Sequence, residues 1–115
     1  MPRLEAGASR IEGRTADGWI VAGRLYAPAL FVTPALAGTL PNATLETLDA
    51  AALPDTPGLD LLLLGTGAAL RRPPASFVEA ARQRGWRVEP MDSPAAARTF
   101  NVLAAEDRLV AALIL

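Results

Sequence analysis

The 115-residue sequence contains no cysteine, no histidine and no lysine. Without cysteine there is no disulfide or thiolate, and without histidine the chain lacks a common zinc ligand and the most frequent general base. Without lysine, arginine supplies every basic residue, and the net charge is −1. This charge balance gives no strong cationic field, which argues against a nucleic-acid partner.

Aromatic residues and long hydrophobic runs are also scarce. Only 5% of residues are aromatic although 51% are hydrophobic, so alanine, leucine and valine must fill the core. No apolar run approaches the ~20 residues of a membrane-spanning helix, and the first residues lack the apolar centre of a signal peptide. We therefore expect one soluble, cytoplasmic domain over residues 1–115, with residues 1–7 disordered.

Four consecutive leucines, Leu61 to Leu64, stand in the middle of the sequence. They leave no polar side for water, which predicts a strand over residues 59–64 that is buried on both faces. Gly65 and Gly67 end this strand, because glycine adopts backbone conformations that other residues avoid. Ligands in α/β folds bind beyond the carboxyl ends of strands, so a site is first expected at this glycine turn.

A helix and a second strand are predicted after the glycine turn. Proline suits the first turn of a helix, so the helix is expected to begin at about Pro74. Three of its apolar residues are spaced to face the core: Phe77, Val78 and Ala81. Residues 86–90 alternate in polarity, which predicts a strand parallel to the first and joined to it by a right-handed crossover.

The C-terminal residues predict a second helix and a final strand. Ser93 is expected to cap the helix, with Pro94 at its first position. Three apolar residues form the stripe that packs on the sheet: Ala96, Phe100 and Leu103. Residues 109–115 are apolar throughout, which predicts a strand in the interior of the sheet, although the short connection leaves its direction open.

The N-terminal half predicts short antiparallel strands. Residues 10–14 and 19–26 are expected to form a hairpin whose turn is Asp17-Gly18, and residues 29–33 a third strand of the same meander. In the irregular stretch that follows, leucines at helical spacing predict a short helix over residues 44–52, capped by Asn42 or Thr44. The predicted fold is an α/β layered sandwich with a central sheet of about five strands and an N-terminal β-hairpin.

Seven residues near the predicted strand ends are candidates for binding a small anionic ligand: Gly65, Thr66, Gly67, Arg71, Asp92, Arg98 and Asn101. Backbone N–H groups of the glycine turn can cradle an anion, and the Arg71-Arg72 pair can supply counter-charge. The alternative reading is structural, with a tight strand exit at Thr66 and an Asp92 or Glu89 ion pair to Arg98. Asn101 can either line a polar recess or hydrogen-bond a neighbouring loop.

The same inventory offers little for catalysis. Serine, threonine and tyrosine hydroxyls are present, but neither histidine nor lysine is available to activate them. No pair of carboxylates is spaced to fix two of them in one site. We therefore predict no catalytic residue, no metal and no cofactor, and an enzyme is the less favoured class.

Four segments resemble one known family: Leu-Leu-Leu-Leu-Gly-Thr-Gly at 61–67, Glu-Pro-Met-Asp-Ser at 89–93, Ala-Ala-Arg-Thr-Phe-Asn-Val-Leu at 96–103 and Val-Ala-Ala-Leu at 110–113. It is the small α/β domain family of unknown function that includes a mitochondrial respiratory complex I assembly factor. The resemblance covers residues 8–115. It implies a mixed five-stranded sheet whose last strand is inserted antiparallel, and a role exercised through protein partners.

Two hypotheses follow for the function. The first is a non-enzymatic protein-interaction module of the assembly-factor kind, which the resemblance and the missing catalytic side chains favour. The second is a small anionic-ligand-binding or enzyme-like domain that uses the crevice after the leucine strand. A flat, apolar exposed patch would favour the first hypothesis, and a deep polar pocket the second.

Overall fold

The described residues of the computed structural model, 4–6, 10–40 and 44–115, form nine strands and two α-helices. The first six strands are β1 (Leu4–Ala6), β2 (Ile11–Arg14), β3 (Trp19–Val21), β4 (Arg24–Tyr26), β5 (Leu30–Val32) and β6 (Leu36–Thr39). The remaining elements are β7 (Leu61–Gly65), α1 (Ala75–Gln83), β8 (Arg87–Met91), α2 (Ser93–Ala105) and β9 (Ala111–Ile114). The structure does not describe residues 1–3, 7–9 and 41–43. Asn42, one of the two predicted helix caps, is among them.

The main sheet has the strand order β1-β6-β5-β9-β7-β8, and β2, β3 and β4 form a separate antiparallel sheet. Strand β9 lies between β5 and β7, antiparallel to β5 and parallel to β7, so the predicted mixed sheet with an interior last strand is confirmed. The expected antiparallel insertion therefore holds on one side of β9 only. The sheet also gains a sixth strand, because Leu4–Ala6 pair with β6 where the sequence predicted disorder.

The leucine run divides its side chains between two apolar layers, as a strand buried on both faces must. Leu61 and Leu63 face α2 and the small sheet, where Phe100 and Trp19 also pack. Leu62 and Leu64 face α1 and the segment between β6 and β7. All five residues of β7 are buried, which confirms the prediction made from the four leucines.

Helix α1 joins β7 to β8, which are parallel as predicted. Gly85 follows the helix with φ +86°, a left-handed conformation that suits glycine past a helix end. Phe77 and Ala81 face the core as expected, but Val78 is 38% exposed and was wrongly placed inward. It follows Phe77 by one residue, and a helix turns about 100° per residue, so both cannot face the same layer.

Helix α2 begins at Ser93, one residue earlier than predicted. Asp92, not Ser93, is the N-cap, since its carboxylate accepts a hydrogen bond from Ala95 N at 2.8 Å. Ala96 and Phe100 are buried and Leu103 packs partly buried against them, which confirms the predicted inward stripe. A carboxylate outside the helix caps it as well as a hydroxyl does, and leaves Ser93 for a buried role.

The small sheet differs from the predicted meander in its turns. Residues 19–26 are two strands, because Ala22 and Gly23 adopt φ values of 51° and 76° and make a tight hairpin turn. A two-residue hairpin turn at Asp17-Gly18 would be of type I′ and would need a positive φ at Gly18. Gly18 has none, so the predicted turn is wrong. Thr15 Oγ1 instead accepts hydrogen bonds from the N–H groups of Asp17 and Gly18.

The stretch between β5 and β7 departs most from prediction. Strand β5 leaves the meander and pairs with β6, a strand that the sequence did not predict. The predicted helix over residues 44–52 is two separate 3₁₀ turns, Leu45–Thr47 and Ala50–Ala52. Leu48 between them has an extended ψ of 135°, which interrupts the helix, while Thr44 occupies the predicted cap position of the first turn.

Candidate functional site

The predicted crevice lies where β7 and β8 end. Thr66 is buried there, and its N–H donates to the Met91 carbonyl at 2.9 Å. Its hydroxyl donates to Ala69 O at 2.7 Å and accepts from Arg71 N at 2.9 Å. Thr66 therefore holds the loop locally, as the structural alternative predicts.

Ser93 links the glycine turn to the chain beyond it. Ser93 Oγ accepts from Gly67 N at 2.8 Å and donates to the carbonyl of Leu115 at 2.8 Å, while Ser93 N donates to Gly67 O at 2.7 Å. The side chain is completely buried. A Cβ built on Gly65 would lie 2.8 Å from Ser93 Oγ and 3.0 Å from Ser93 Cα, so glycine is required for this close approach.

Sequence reasoning considered Ser93 only as a cap and missed this role. The available signal was a small polar residue two positions after a strand end, near a glycine at the end of the neighbouring strand. The Thr66 N–H donates to Met91 O and the Gly67 N–H donates to Ser93 Oγ. Both donors that an anion at the turn would use are therefore already engaged. Open space does lie beside Gly67, where an added Cβ would meet nothing within 4 Å.

Arg71 leaves the turn and pairs with a different segment. Its Nη2 donates to Glu46 Oε1 at 2.6 Å, and both side chains are more than half exposed. The hydrogen bond from Arg71 is the main reason that the pKa of Glu46 is lowered. An ion pair this exposed stabilises the fold little, so Arg71 is held at the loop by a weak contact.

Asn101 joins the small sheet to α2. Its Oδ1 accepts from Ile11 N at 2.9 Å and its Nδ2 donates to Ile11 O at 2.8 Å, so the amide pairs with β2 as a neighbouring strand would. Of the two readings kept open for Asn101, the structure has the hydrogen bond to another segment. This contact lies more than two turns of α2 beyond Asp92 and separates Asn101 from the glycine turn.

Arg98 is exposed, and within the described ranges it forms no hydrogen bond or ion pair. The expected pair with Glu89 or Asp92 is therefore absent there. Glu89 lies 3.6 Å from Arg87 instead, and Asp92 caps α2. The fold thus brings Gly65, Thr66, Gly67 and Asp92 together, with Arg71 at the margin, and leaves Arg98 and Asn101 outside that group.

A groove at the opposite ends of β7 and β8 was not predicted. It encloses about 550 Å³ between α1, the start of both strands and the turn before β9, and we call it the arginine groove. Its apolar lining comes from Leu61, Val78, Trp86 and Val88. Its charged lining comes from Asp60, Arg82, Arg87 and Arg108. Arginines so far apart in sequence carry no spacing signal, which is why sequence reasoning missed them.

The described residues contain neither a candidate metal cluster nor a candidate membrane span. No group of three or more carboxylates is placed to hold a metal ion. The longer of the two helices, α2, has 13 residues, and neither helix is long and apolar enough to cross a bilayer.

The chain belongs to the family described as "Protein of unknown function (DUF498/DUF598)", whose model matches residues 11–115. The zebrafish (Danio rerio) protein named NADH dehydrogenase [ubiquinone] 1 alpha subcomplex assembly factor 3 is 35% identical over 79% of this chain. The human protein of the same name is 37% identical over 51% of the chain. The resemblance predicted from the sequence is confirmed. The aligned region spans 54% of the zebrafish relative and 32% of the human one.

Solved structures show the same fold. An outer membrane protein from Bartonella henselae superposes with a TM-score of 0.84 at 27% identity, covering 96% of each chain. A Rhodopseudomonas palustris protein gives 0.76 at 27% identity, covering 91% of this chain and 81% of the other. A Bordetella pertussis protein described as a Mth938-like domain gives 0.75 at 23% identity, covering 94% and 85%. The α/β layered sandwich of this chain is therefore shared with these solved structures.

Proposed function

We propose that this protein is a non-enzymatic interaction module that assists the assembly of a multi-subunit complex by binding protein partners. We further propose that it acts in the cytoplasm and binds no nucleic acid. Curated relatives named as assembly factors for NADH dehydrogenase support the general role. The matched region spans 54% of the zebrafish relative. The partners that the name of this relative implies are therefore part of the proposal.

The observation that carries the proposal is the contrast between the two ends of the leucine strand. At the carboxyl end, the N–H groups of Thr66 and Gly67 are hydrogen-bonded within the protein. At the amino end, the arginine groove presents valine and arginine side chains to solvent. A mixed apolar and arginine-rich surface suits protein recognition, since arginine is enriched at binding hot spots.

The proposal is tested in the organism that makes the protein. An affinity-tagged copy expressed at native level, crosslinked and captured, should retain the same protein partners in stoichiometric amounts across replicates. Deletion of the gene should reduce assembled NADH dehydrogenase on native gels while subunit synthesis continues. Unchanged assembly of that complex, together with an absence of stoichiometric partners, would contradict the proposal.

A second candidate is the binding of a small anion at the glycine turn. The open space beside Gly67 and the nearby Arg71 support it. The residues proposed for it are Gly65, Thr66, Gly67, Arg71 and Asp92, and the predicted Arg98 and Asn101 lie outside that group. Titration with inorganic phosphate and simple carboxylates, followed by amide NMR shifts, tests the idea. Saturable shifts centred on residues 65–71 would support it, and the absence of shifts there would reject it.

A further inference from the structure

We propose that the arginine groove binds an extended acidic segment of a partner protein, in which apolar side chains alternate with carboxylates. The inference rests on the proposed function, because it names the surface and the partner chemistry of that same role. Three properties of the groove carry it: an adjoining strand edge, a partly exposed apolar lining and an unequal charge.

The strand edge favours an extended occupant. Strand β8 is at the end of the main sheet as far as the chain is described. Arg87 N donates to Asp60 O on one side, and Met91 O accepts from Thr66 N on the same side. Because successive residues of a strand point their backbone groups in opposite directions, Val88 directs its N–H and C=O away from β7. A partner strand can therefore pair with Val88 beside the groove.

Pro90 limits how far such pairing can continue. It is two residues after Val88, so it also faces away from β7, and it has no N–H to donate. A long, nonspecific ladder along β8 is thus blocked, and contact is confined to the part of the strand that borders the groove. Side chains must then supply most of the affinity here, whereas in longer strand additions the main-chain hydrogen bonds supply it and the side-chain pockets give specificity.

The apolar lining favours valine- or leucine-sized side chains in the occupant. Val78 is 38% exposed and Val88 is half-buried, while Trp86 is buried beneath the guanidinium of Arg84. A volume of about 550 Å³ is large enough for a few side chains. Burial of one or two apolar side chains here would add to the backbone contacts at Val88.

The charged lining favours carboxylates. Three arginines meet one aspartate, Asp60. Arg82 is already held by Glu79 through two hydrogen bonds of 2.7 and 3.0 Å, and Arg87 has a loose contact of 3.6 Å with Glu89. Arg108 is exposed and makes no such contact within the described residues. Arg108 and Arg87 can therefore take new carboxylates, and the planar guanidinium binds them in a bidentate manner.

The experiment uses the full chain and three synthetic peptides of equal length. One alternates valine with glutamate, the second alternates valine with lysine, and the third alternates serine with glutamate. Binding is measured at low salt by amide NMR shifts and by fluorescence anisotropy of labelled peptides. We expect the valine–glutamate peptide to bind at least about tenfold more tightly than either of the others, with shifts centred on residues 85–88 and 108.

Matched variants separate the groove from general charge and hydrophobicity. Arg108→Glu should weaken binding of the valine–glutamate peptide about tenfold. Arg72→Glu is the control, because it makes the same charge change on an exposed arginine in the loop before α1, and it should change the binding less than about twofold. Val78→Asp should weaken it similarly, whereas Val102→Asp on exposed α2 should not. Melting curves of all four variants ensure that only folded proteins are compared.

Equal binding of the serine–glutamate peptide would overturn the apolar part of the inference, and equal binding of the valine–lysine peptide would overturn the acidic part. Shifts centred away from the groove would overturn the location. If captured partners from the native host remain bound to the Arg108→Glu and Val78→Asp variants, the groove inference fails while the proposed interaction function stands. Loss of capture with both groove variants, and not with their controls, supports both.

Discussion

The guanidinium of Arg84 lies over the ring of Trp86, 3.9 Å from its centroid. From that position Nη1 donates to the carbonyls of Ala50 and Leu53 at 2.6 and 2.9 Å. One side chain just after α1 therefore satisfies two carbonyls at the second 3₁₀ turn and fixes that turn beside Trp86, the residue before β8. This contact explains how an irregular, proline-containing stretch packs in one place on the sheet.

Arg84→Lys should lower the free energy of unfolding by about 1–3 kcal/mol, because a lysine ammonium cannot stack flat on Trp86 while donating to both carbonyls. Chemical denaturation followed by far-ultraviolet circular dichroism measures the change. Asp55→Asn is the control, since the Asp55 carboxylate that contacts Arg84 is 98% exposed and should contribute little. An equal loss in both variants would mean that the ion pair, not the stacking and carbonyl contacts, stabilises the turn.

Ser93→Ala should destabilise the protein by about 1–3 kcal/mol. The change leaves the Gly67 N–H and the Leu115 carbonyl without their partner inside the protein. Ser76→Ala is the matched control, because Ser76 is exposed on α1 and the substitution suits a helix. Thermal melts of both variants check the prediction, and a Ser93→Ala protein as stable as wild type would contradict it.

Asn101→Ala should loosen the small sheet before it unfolds the whole domain. The substitution removes both hydrogen bonds to Ile11, the bonds that join β2 to α2. Hydrogen exchange should quicken at the amides of β2 and β3, while protection in β7 and β9 falls only with global stability. Gln83→Ala, on the exposed end of α1, serves as control. Uniform loss of protection in every strand would argue against a separable small sheet.

Arg98→Lys should change the free energy of unfolding by less than about 0.5 kcal/mol. This expectation is contrary to the structural role that the sequence suggested. The side chain is exposed and, in the described part of the chain, has no hydrogen-bond or ion-pair partner. Melting curves with and without inorganic phosphate check this. A lower melting temperature without ligand would restore the structural reading, and a loss of phosphate-induced stabilisation would assign Arg98 to the anion site.

Removal of residues 113–115 should leave insoluble or unfolded protein. Leu113 and Ile114 are fully buried in β9, and β9 bridges β5 and β7. Their side chains contribute roughly 1.5–3 kcal/mol each in a domain whose total stability is about 5–15 kcal/mol. The milder Leu113→Ala should remain folded and lose about 2–5 kcal/mol in denaturant titration. A truncated protein that melts cooperatively would show that β9 is dispensable.

The C-terminal half was predictable because its residues repeat at the periods of strands and helices. The leucines of β7 fit only a strand that is buried on both faces. Ala96 and Phe100 fit only a helix with one buried face. The error at Val78 arose because an apolar residue next to the core stripe looks inward in sequence. The helical turn of about 100° per residue separates it from Phe77 and directs it to the arginine groove.

The stretch between β5 and β7 was less predictable, because its structure depends on distant residues. Strand β6 has a short Leu-Ala-Gly-Thr sequence with no clear alternation, and it is specified by pairing with β5 and β1. The second 3₁₀ turn is held by Arg84, which is 34 positions after Ala50. The candidate site shows the same limit, since the Ser93 bonds and the arginine groove both need the topology.

The central place of β9 has a consequence for the timing of folding during synthesis. Strand β9 is the strand that joins β5 to β7. The two parts of the main sheet therefore cannot be joined while residues 111–114 remain in the ribosomal exit tunnel. Until then the inner edges of both strands are unpaired and apolar, which is the condition that favours aggregation or chaperone capture. We expect nascent chains arrested before residue 111 to be protease-sensitive and to bind holdase chaperones.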